Sequence, residues 1–428
     1  MSTPLRFCIL STFYPPYNFG GDGIYAHRLA NALGSLGHEV TVLHSPSAYE
    51  MLAGGPPAGS YQDHANVRVE PVRTPFGKLG LFAVQQTGRP CFQAAALKSL
   101  LHDPPYDVIH YNNVSLLGGP HVFRYGSGLK LCTLIEHWLV CPMHVLWKMG
   151  REVCTEPECL RCTIHGRRPP QLWRYVGLMR RATRSIDAFI GPSEFTIRQH
   201  RERGIEGTMV QLPLFQAAPP KNMAAPEGLE ADRPYFLFVG RLEKIKGVQT
   251  ILPLFRRLTD VDLLIAGSGD YETELRRLAD GADNIKFLGR VDQDVLHFLY
   301  ENAIATVIPS ICYETFGVVA AESFCARTPV VVYAQSSLEE IVKTHGGGIA
   351  YREEAELEDA LRRLRFDTSL RQRLGEEGRA AYDIHFSEAP FMRNYLALVR
   401  ELIERKARAH GSDDNGGQRA VAGLPTFY

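Results

Sequence analysis

Short runs of apolar residues alternate along the chain with longer segments in which apolar residues recur every three or four positions. The first run, Phe7-Cys8-Ile9-Leu10, is followed by a loop rich in Gly and Pro, a helical pattern starting after Gly23, and a second apolar run at 38–43. This βαβ order predicts a parallel sheet. Further buried strands are predicted at 67–72, 107–111, 130–135, 187–191, 211–214, 235–239, 261–265, 285–287, 303–308 and 329–332.

The strands and helices fall into two α/β halves joined by a stretch that contains three prolines. This arrangement predicts two Rossmann-like domains that face a central cleft, followed by a C-terminal helix, and ligands favour such domain interfaces. The predicted segments are an N-terminal domain at 1–216 with a cysteine-rich insertion at 141–170, a linker at 217–233, a C-terminal domain at 234–386, a helix at 387–409 and a disordered tail at 410–428.

The composition is that of an ordinary globular protein, with 45% hydrophobic and 22% charged residues among 428. The formal net charge is zero, so no overall field would attract nucleic acid. The N-terminus lacks the layout of a signal peptide, and no apolar run approaches the length of a spanning helix. We therefore expect a cytoplasmic protein. Peripheral membrane contact stays open, because a basic amphipathic helix predicted at 172–185 could face either a core or anionic lipid.

Four of the nine cysteines lie within 22 residues, in the pattern Cys-x12-Cys-x4-Cys-x2-Cys. Four closely spaced thiols in a cytosolic chain suit a structural zinc ion with closed, tetrahedral coordination. An iron–sulfur centre, disulfides or free thiols are the alternatives. The predicted ligands are Cys141, Cys154, Cys159 and Cys162.

The segment 303–322 predicts a strand, a short polar loop and a helix. Glu314 lies in the loop, Gly317 leaves backbone N–H groups open at the helix start, and Glu322 lies inside the helix. A helix N-terminus favours an anion, and an ionised carboxylate accepts hydrogen bonds from hydroxyl groups. A phosphate beside a polyol describes a nucleotide sugar, although an ordinary strand-to-helix turn with two surface glutamates has the same pattern.

Several other residues at the ends of predicted strands could serve such a ligand. Arg241 and Lys246 follow a strand and could neutralise a diphosphate, or they could be solvated surface cations. The paired glycines Gly20 and Gly21 let a backbone approach a phosphate closely, as any tight turn would. His137 follows a strand at the edge where ligands bind in open α/β sheets, although most such histidines are structural.

A set of motifs in the second half resembles the donor half of retaining glycosyltransferases of family 4, which have the GT-B fold. The resemblance covers most of 235–351, and the seven residues between Glu314 and Glu322 are its most specific part. The N-terminal half is similar more loosely, at Gly20-Gly21 and 133–142. The motifs are Phe238-Val239-Gly240-Arg241, Lys246-Gly247, Ala266-Gly267-Ser268-Gly269, Phe287-Leu288-Gly289, Pro309-Ser310 through Glu322, and Thr328-Pro329-Val330-Val331.

The resemblance implies a role for each matching position. Arg241 and Lys246 would hold the donor diphosphate, and Gly21 would approach it from the other domain. Glu314 would bind hydroxyls of the transferred sugar, and Glu322 those of the ribose. The remaining implied contacts are backbone ones, at Phe316, Gly317 and Val318 to sugar and phosphate, and around Arg290 and Val291 to the base.

The chain departs from the family pattern at three places. The family's His-Asp pair would fall on Ile135 and Glu136, which makes His137 a shifted candidate for the active-site histidine. Arg327 stands where Gly often precedes Thr-Pro-Val-Val. Ser336-Ser337 replaces a Gly pair near the donor, which puts the sugar selectivity in doubt.

The resemblance therefore implies a retaining hexosyltransferase of polysaccharide biosynthesis. Its donor would be a nucleoside-diphosphate sugar, and its acceptor a sugar, a glycolipid or a growing polysaccharide. No cofactor is expected to be required for catalysis, and no nucleic-acid partner is expected. A non-catalytic nucleotide-sugar-binding subunit and a GT-B epimerase are the alternatives. Donor turnover by the purified protein would separate the enzyme from the binding subunit.

Overall fold

The structure, a computed structural model, describes residues 3–57, 59–217, 225 and 233–412. The chain divides into two compact units: unit 1 is Met1–Pro213 with Phe391–Tyr428, and unit 2 is Leu214–Pro390. Most of the predicted linker and the part of the predicted tail beyond residue 412 lie outside the described residues.

Unit 1 is built on a seven-stranded parallel sheet and carries a small separate hairpin. Its strands are Arg6–Leu10 (β1), Glu39–His44 (β2), Val67–Pro71 (β3), Val108–Tyr111 (β4), Leu129–Thr133 (β5), Trp147–Lys148 (β6), Glu152–Val153 (β7), Ala188–Gly191 (β8) and Met209–Gln211 (β9). Its helices are Gly21–Ser35 (α1), Pro46–Ala53 (α2), Gly77–Thr87 (α3), Ala94–His102 (α4), Cys159–His165 (α5), Leu178–Thr183 (α6) and Glu194–Glu202 (α7).

The spatial order of the unit 1 sheet is β3-β2-β1-β4-β5-β8-β9. Every residue of β4, β5 and β8 is buried, because helices cover both faces of a parallel sheet, and this explains their continuous apolar runs. The strand order reverses between β1 and β4, and ligands bind outside the carboxyl ends of the strands at such a switch point.

Three predicted elements of unit 1 need correction. The first helix begins at Gly21 rather than after Gly23, so the paired glycines form its start. The helix predicted at 172–185 is a 3-10 turn, Leu172–Arg174, followed by the separate α6, because Gly177 interrupts it in a left-handed conformation (φ 70°). The last strand is Met209–Gln211 rather than 211–214, since Pro213 has no N–H for the ladder.

The C-terminal helix Glu388–Ser412 (α15) packs on unit 1 from Phe391 onward. Tyr395 is fully buried, and its hydroxyl forms a 2.7 Å hydrogen bond with Nδ1 of His110 in β4. Lys406 forms a 2.7 Å ion pair with Asp187, directly before β8. Helix α15 is therefore part of the unit formed by the beginning of the chain, and its backbone remains helical to Ser412, three residues into the segment predicted to be a disordered tail.

Unit 2 is built on a six-stranded parallel sheet in the order β12-β11-β10-β13-β14-β15, again with a switch point, between β10 and β13. Its strands are Tyr235–Val239 (β10), Asp262–Ala266 (β11), Ile285–Gly289 (β12), Thr306–Ile308 (β13), Val330–Tyr333 (β14) and Gly348–Tyr351 (β15). Its helices are Val248–Phe255 (α8), Glu272–Ala279 (α9), Gln293–Asn302 (α10), Val318–Cys325 (α11), Ser336–His345 (α12), Glu354–Phe366 (α13) and Thr368–Ala381 (α14).

Candidate functional site

The switch point of unit 2 brings together two of the predicted site residues, Lys246 after β10 and Glu314 after β13. These strands are neighbours in the sheet, so the loops at their carboxyl ends are adjacent. Nζ of Lys246 lies 2.7 Å from Oε1 of Glu314, and only 22% and 20% of the two side chains are exposed. Lys246 and Glu314 are 68 residues apart in the sequence, so the sequence did not predict this contact, which results from the order of strands in the sheet.

The Lys246–Glu314 pair is ionised at neutral pH. Burial pushes the pKa of Glu314 upward, but the ammonium of Lys246 outweighs it and holds the pKa below its usual value. Burial acts on Lys246 in the opposite sense, and the Glu314 carboxylate still raises its pKa. Arg241 also lowers the pKa of Glu314, although 59% of its side chain is exposed and it forms a 2.5 Å ion pair with Glu243. The edge thus presents two cations, each paired with a carboxylate.

The two serines that replace the family's glycine pair hold the backbone of Glu314. The N–H of Glu314 donates to Oγ of Ser336 (3.2 Å), and the hydroxyl of Ser337 donates to the carbonyl oxygen of Glu314 (2.9 Å). Ser336 has a φ of 63°, in the left-handed region that favours glycine. The chain thus retains the conformation expected of a glycine there and adds two side-chain bonds.

Helix α11 begins directly after Gly317 at the same edge of the sheet. Phe316 is 2% exposed and its ring packs edge-on against Phe386, so the ring is not available to a ligand. Glu322 lies in the second turn of α11, half-buried, and its Oε2 accepts a 3.0 Å hydrogen bond from the hydroxyl of Tyr300. The bond orients this carboxylate.

The loop after β12 adds the predicted base-reading segment to this edge. Nε of Arg290 donates to Oγ of Ser268 at 2.9 Å, which joins this loop to the one after β11. Val291 packs partly buried against the apolar cluster under the sheet. Strands β12, β11, β10 and β13 are consecutive in the sheet, so all the predicted donor residues of unit 2 follow its carboxyl edge.

The switch point of unit 1 holds Gly20 and Gly21. A Cβ built on either glycine would meet no atom within 4 Å, so the backbone at the start of α1 faces open space. Asp22, the next residue, accepts a 3.2 Å hydrogen bond from the side-chain amide of Asn113, which follows β4. Helix N-termini favour anions. At the N-terminus of α1, however, the carboxylate of Asp22 in the first turn weakens the attraction for a further anion.

Asp22 belongs to a polar network that sequence reasoning missed. Burial, and next the carboxylate of Glu136, raise the pKa of Asp22 to about 6 against the opposing hydrogen bonds from Gly23 and Asn113. Glu136 follows β5 and its Oε2 lies 2.8 Å from Nδ1 of His144. A sequence signal for this network existed: polar residues follow the three strands β1, β4 and β5, and these strands are neighbours in a Rossmann-like sheet.

His137 is 1% exposed, and its ring stacks on that of His200 with centroids 5.4 Å apart. In this conformation its imidazole is not accessible to a substrate. Its neighbour Glu136 is more exposed, with 24% of its side chain accessible. In the family pattern, Glu136 stands at the position of the Asp in the His-Asp pair, so the alignment had already marked a carboxylate at this position.

The predicted metal ligands lie in the insertion of unit 1. All nine cysteines of the chain are free thiols. Cys141, Cys154, Cys159 and Cys162 line one small cavity. Within the described residues, no three His, Cys, Asp or Glu side chains already have the arrangement of a metal-ligand set.

Both units match sequence profiles of known families. The profile "Glycosyl transferase 4-like domain" matches residues 20–214. The profile "Glycosyl transferases group 1" matches residues 221–381. The chain belongs to the group 1 glycosyltransferases. The family resemblance seen in the motifs is thereby confirmed.

Relatives and solved structures are similar to this glycosyltransferase over most of its length. An uncharacterized glycosyltransferase of Methanocaldococcus jannaschii is 27% identical over 387 residues, which are 81% of this chain and 84% of the relative. Among solved structures, a sucrose-phosphate synthase from Thermosynechococcus elongatus superposes with a TM-score of 0.71 at 20% identity, covering 94% and 100% of the two chains. The Anabaena protein HepE, solved with UDP and glucose, gives 0.66 at 17% identity, covering 93% and 100%. The predicted GT-B fold is confirmed.

Proposed function

We propose that this glycosyltransferase transfers a hexosyl unit from a nucleoside-diphosphate sugar, with retention of anomeric configuration, to a saccharide, glycolipid or polysaccharide acceptor. The observation that carries the proposal is the Lys246–Glu314 ion pair at the carboxyl edge of unit 2, beside the start of α11. It offers a cation for a diphosphate and a carboxylate for sugar hydroxyls at one place. The UDP and glucose bound by HepE support a donor of this class.

In the proposed reaction, Lys246 and Arg241 stabilise negative charge that develops on the departing diphosphate. Such electrostatic stabilisation is usually the largest catalytic contribution, and these two cations could supply it without a metal ion. Glu314 accepts hydrogen bonds from the sugar hydroxyls, and Glu322 from those of the ribose. The departing phosphate accepts the acceptor's proton on the same face of the sugar, which gives retention.

We also place acceptor recognition at the carboxyl edge of unit 1. Asp22 and Glu136 offer carboxylate oxygens there, and His144 orients Glu136 through the 2.8 Å contact. Hydroxyl groups of an acceptor are hydrogen-bond donors that fit such oxygens. A saccharide is therefore a better match to this edge than an apolar aglycone.

The direct test is incubation of the purified protein with a panel of nucleoside-diphosphate hexoses, with and without mixed saccharide acceptors. We expect one donor to raise the melting temperature and to be consumed with release of the nucleoside diphosphate, because a ligand that binds only the native state stabilises it. Proton NMR of the product should show the donor's anomeric configuration. An inverted product would overturn the retaining mechanism.

The same experiment separates the alternatives. A non-catalytic binding subunit would be stabilised by a donor without consuming it under any acceptor condition. An epimerase would convert the donor sugar without transferring it, and the C2 or C4 epimer would appear in the product spectrum. The presence of Arg241, Lys246, Glu314 and Glu322 together favours turnover, because a binding subunit that had lost catalysis would tend to lose some of these charges.

An exposed apolar surface on unit 1 supports peripheral binding to an anionic bilayer. Leu79 and Phe82 of α3 are 73% and 52% exposed, and the adjoining turn exposes Leu172 and Val176 by 63% and 65%. The two elements are joined by the hydrogen bond from Nε1 of Trp173 to Gln85. The cations exposed nearby are Lys78, Arg167, Arg168, Arg180 and Arg181. No helix in the described part of the chain has the length and hydropathy needed to cross a membrane.

We expect the protein to sediment with vesicles that contain phosphatidylglycerol and to release them as salt rises, because apolar insertion and attraction to anionic lipid act together. Leu79→Ser with Phe82→Ser should weaken this binding about tenfold or more. Phe366→Ser is the matched control, since that ring is 70% exposed but lies on α13 of unit 2. Equal binding by both variants would rule out this surface.

A further inference from the structure

The insertion between β5 and α6 has little apolar core of its own. Its regular structure consists of the β6–β7 hairpin, with two residues in each strand, and the seven-residue helix α5. Leu160 and Ile164, the large apolar residues of α5, are 45% and 60% exposed. Segments of this size usually need a cross-link or a metal to hold one conformation.

The insertion instead directs four thiols to one place. Cys141 precedes the hairpin, Cys154 follows β7, and Cys159 and Cys162 are three residues apart on one face of α5. Cys141, Cys154 and Cys162 are 7%, 8% and 9% exposed. All four line the same cavity, together with Pro142, Met143, Trp147, Lys148 and Glu158.

We propose that Cys141, Cys154, Cys159 and Cys162 bind one structural zinc ion. The space among them is about that of a single water molecule, which fits one ion but not a cluster of two or four irons. Four thiolates are a complete tetrahedral set for zinc.

Contacts around the thiols match the needs of a four-thiolate site, which carries a net negative charge. The N–H of Met149 already donates to Sγ of Cys162 at 3.3 Å, a bond that stabilises a thiolate. The ammonium of Lys148 lies at the cavity wall, where Glu158 holds it at 2.5 Å. Nη2 of Arg203 donates to the carbonyl oxygen of Cys154 at 2.6 Å, which brings a second cation to the site.

The same cysteines are linked to the polar network of unit 1. The N–H of Cys141 donates to the carbonyl oxygen of His137 (2.7 Å), and the N–H of His144 donates to that of Cys141 (3.1 Å). His144 in turn holds Glu136. The zinc therefore has a positioning role: it fixes the turn that carries Glu136 and His144. This second part rests on the proposed acceptor site.

Elemental analysis of the full-length protein, purified without chelator or metal affinity resin, should find about one zinc per chain. Cys159→Ser and Cys162→Ser should each lose it, whereas Cys91→Ser, a half-buried cysteine outside the cluster, should retain it. Replacement by cobalt should give the intense near-ultraviolet absorption of thiolate ligation. If the serine variants fail to fold, the zinc content and cobalt spectrum of the wild-type protein still show whether the thiols bind the metal.

Wild-type protein with less than about one-fifth of a zinc per chain, or with one iron in its place, would overturn the zinc assignment. Loss of zinc should raise the acceptor KM severalfold while leaving donor binding nearly unchanged, because the charged donor residues Arg241, Lys246, Glu314 and Glu322 lie in unit 2. An unchanged acceptor KM in zinc-free protein would overturn the positioning role. If no donor is consumed, the proposed function fails, while the metal content is still measurable.

Discussion

Lys246→Met is expected to lower donor turnover by about 100- to 1000-fold, the effect typical of removing one group that stabilises developing negative charge. Methionine keeps an unbranched chain of similar length but has no ammonium. Glu314→Gln should also lose most of the activity, because an amide replaces one acceptor oxygen with a donor. Since Lys246 and Glu314 touch at 2.7 Å, we expect the double variant to lose much less than the product of the two single losses.

The measurement is steady-state release of the nucleoside diphosphate, with thermal unfolding of each variant as the check on folding. Lys246→Met leaves the Glu314 carboxylate without its cation, so some loss of stability is expected beside the loss of rate. Lys244→Met is the matched control, because Lys244 lies in the same 3-10 turn but is exposed. Turnover of Lys246→Met within a fewfold of the wild type would exclude Lys246 from the site.

Gly247→Ala should cause a large loss of stability, about 3 kcal/mol or more. Gly247 has a φ of 76°, and a Cβ on it would lie 1.9 Å from the carbonyl oxygen of Pro309. This contact sits where the loops after β10 and β13 meet, next to Lys246 and before Glu314. The added methyl group must push these loops apart, so we expect transfer to be lost even at temperatures where the protein stays folded.

Gly281→Ala separates backbone strain from the steric clash. Gly281 has nearly the same φ, 75°, but a Cβ there would meet nothing within 4 Å. The Gly281→Ala substitution should therefore lower the free energy of unfolding only by the strain of a left-handed residue, about 1 kcal/mol, and leave turnover unchanged. Unfolding in denaturant and the transfer assay give both quantities. Equal losses in the two variants would mean that the close approach at Gly247 has no effect of its own.

The motifs assign the predicted donor residues to one edge of unit 2 because these residues lie close to the ends of strands. Apolar runs locate the strands, and a parallel sheet places all carboxyl ends at one edge, so the sequence alone assigns Arg241, Lys246 and Glu314 to one edge. Two departures from the family pattern acquire a physical meaning only in three dimensions. Arg327 and Ser336 have φ values of 57° and 63°, so the chain keeps the left-handed backbone that glycine favours there and places side chains on it.

The proposed acceptor site in unit 1 was harder to predict from the sequence, because its groups depend on contacts between distant loops. Asp22, Glu136 and His144 have no common motif, and the raised pKa of Asp22 follows from burial and from a carboxylate 114 residues away in the chain. His137 was chosen from its place after a strand, whereas packing turned its ring against His200 and left Glu136 more exposed. Which way a loop side chain turns is settled by the neighbours it packs against.

The sequence by itself determined the family, the two α/β halves and the identity of the donor-side charges, since these follow from local periodicity and from residues at fixed spacing. Only the tertiary structure decided that Lys246 and Glu314 form an ion pair, that four cysteines line one cavity, and that the C-terminal helix packs on unit 1. The ion pair and the helix contacts join residues far apart in the chain, and the order of strands in a sheet, rather than their order in the sequence, brings such residues together. The cysteines are close in sequence, but the directions of their side chains depend on the turns of the insertion.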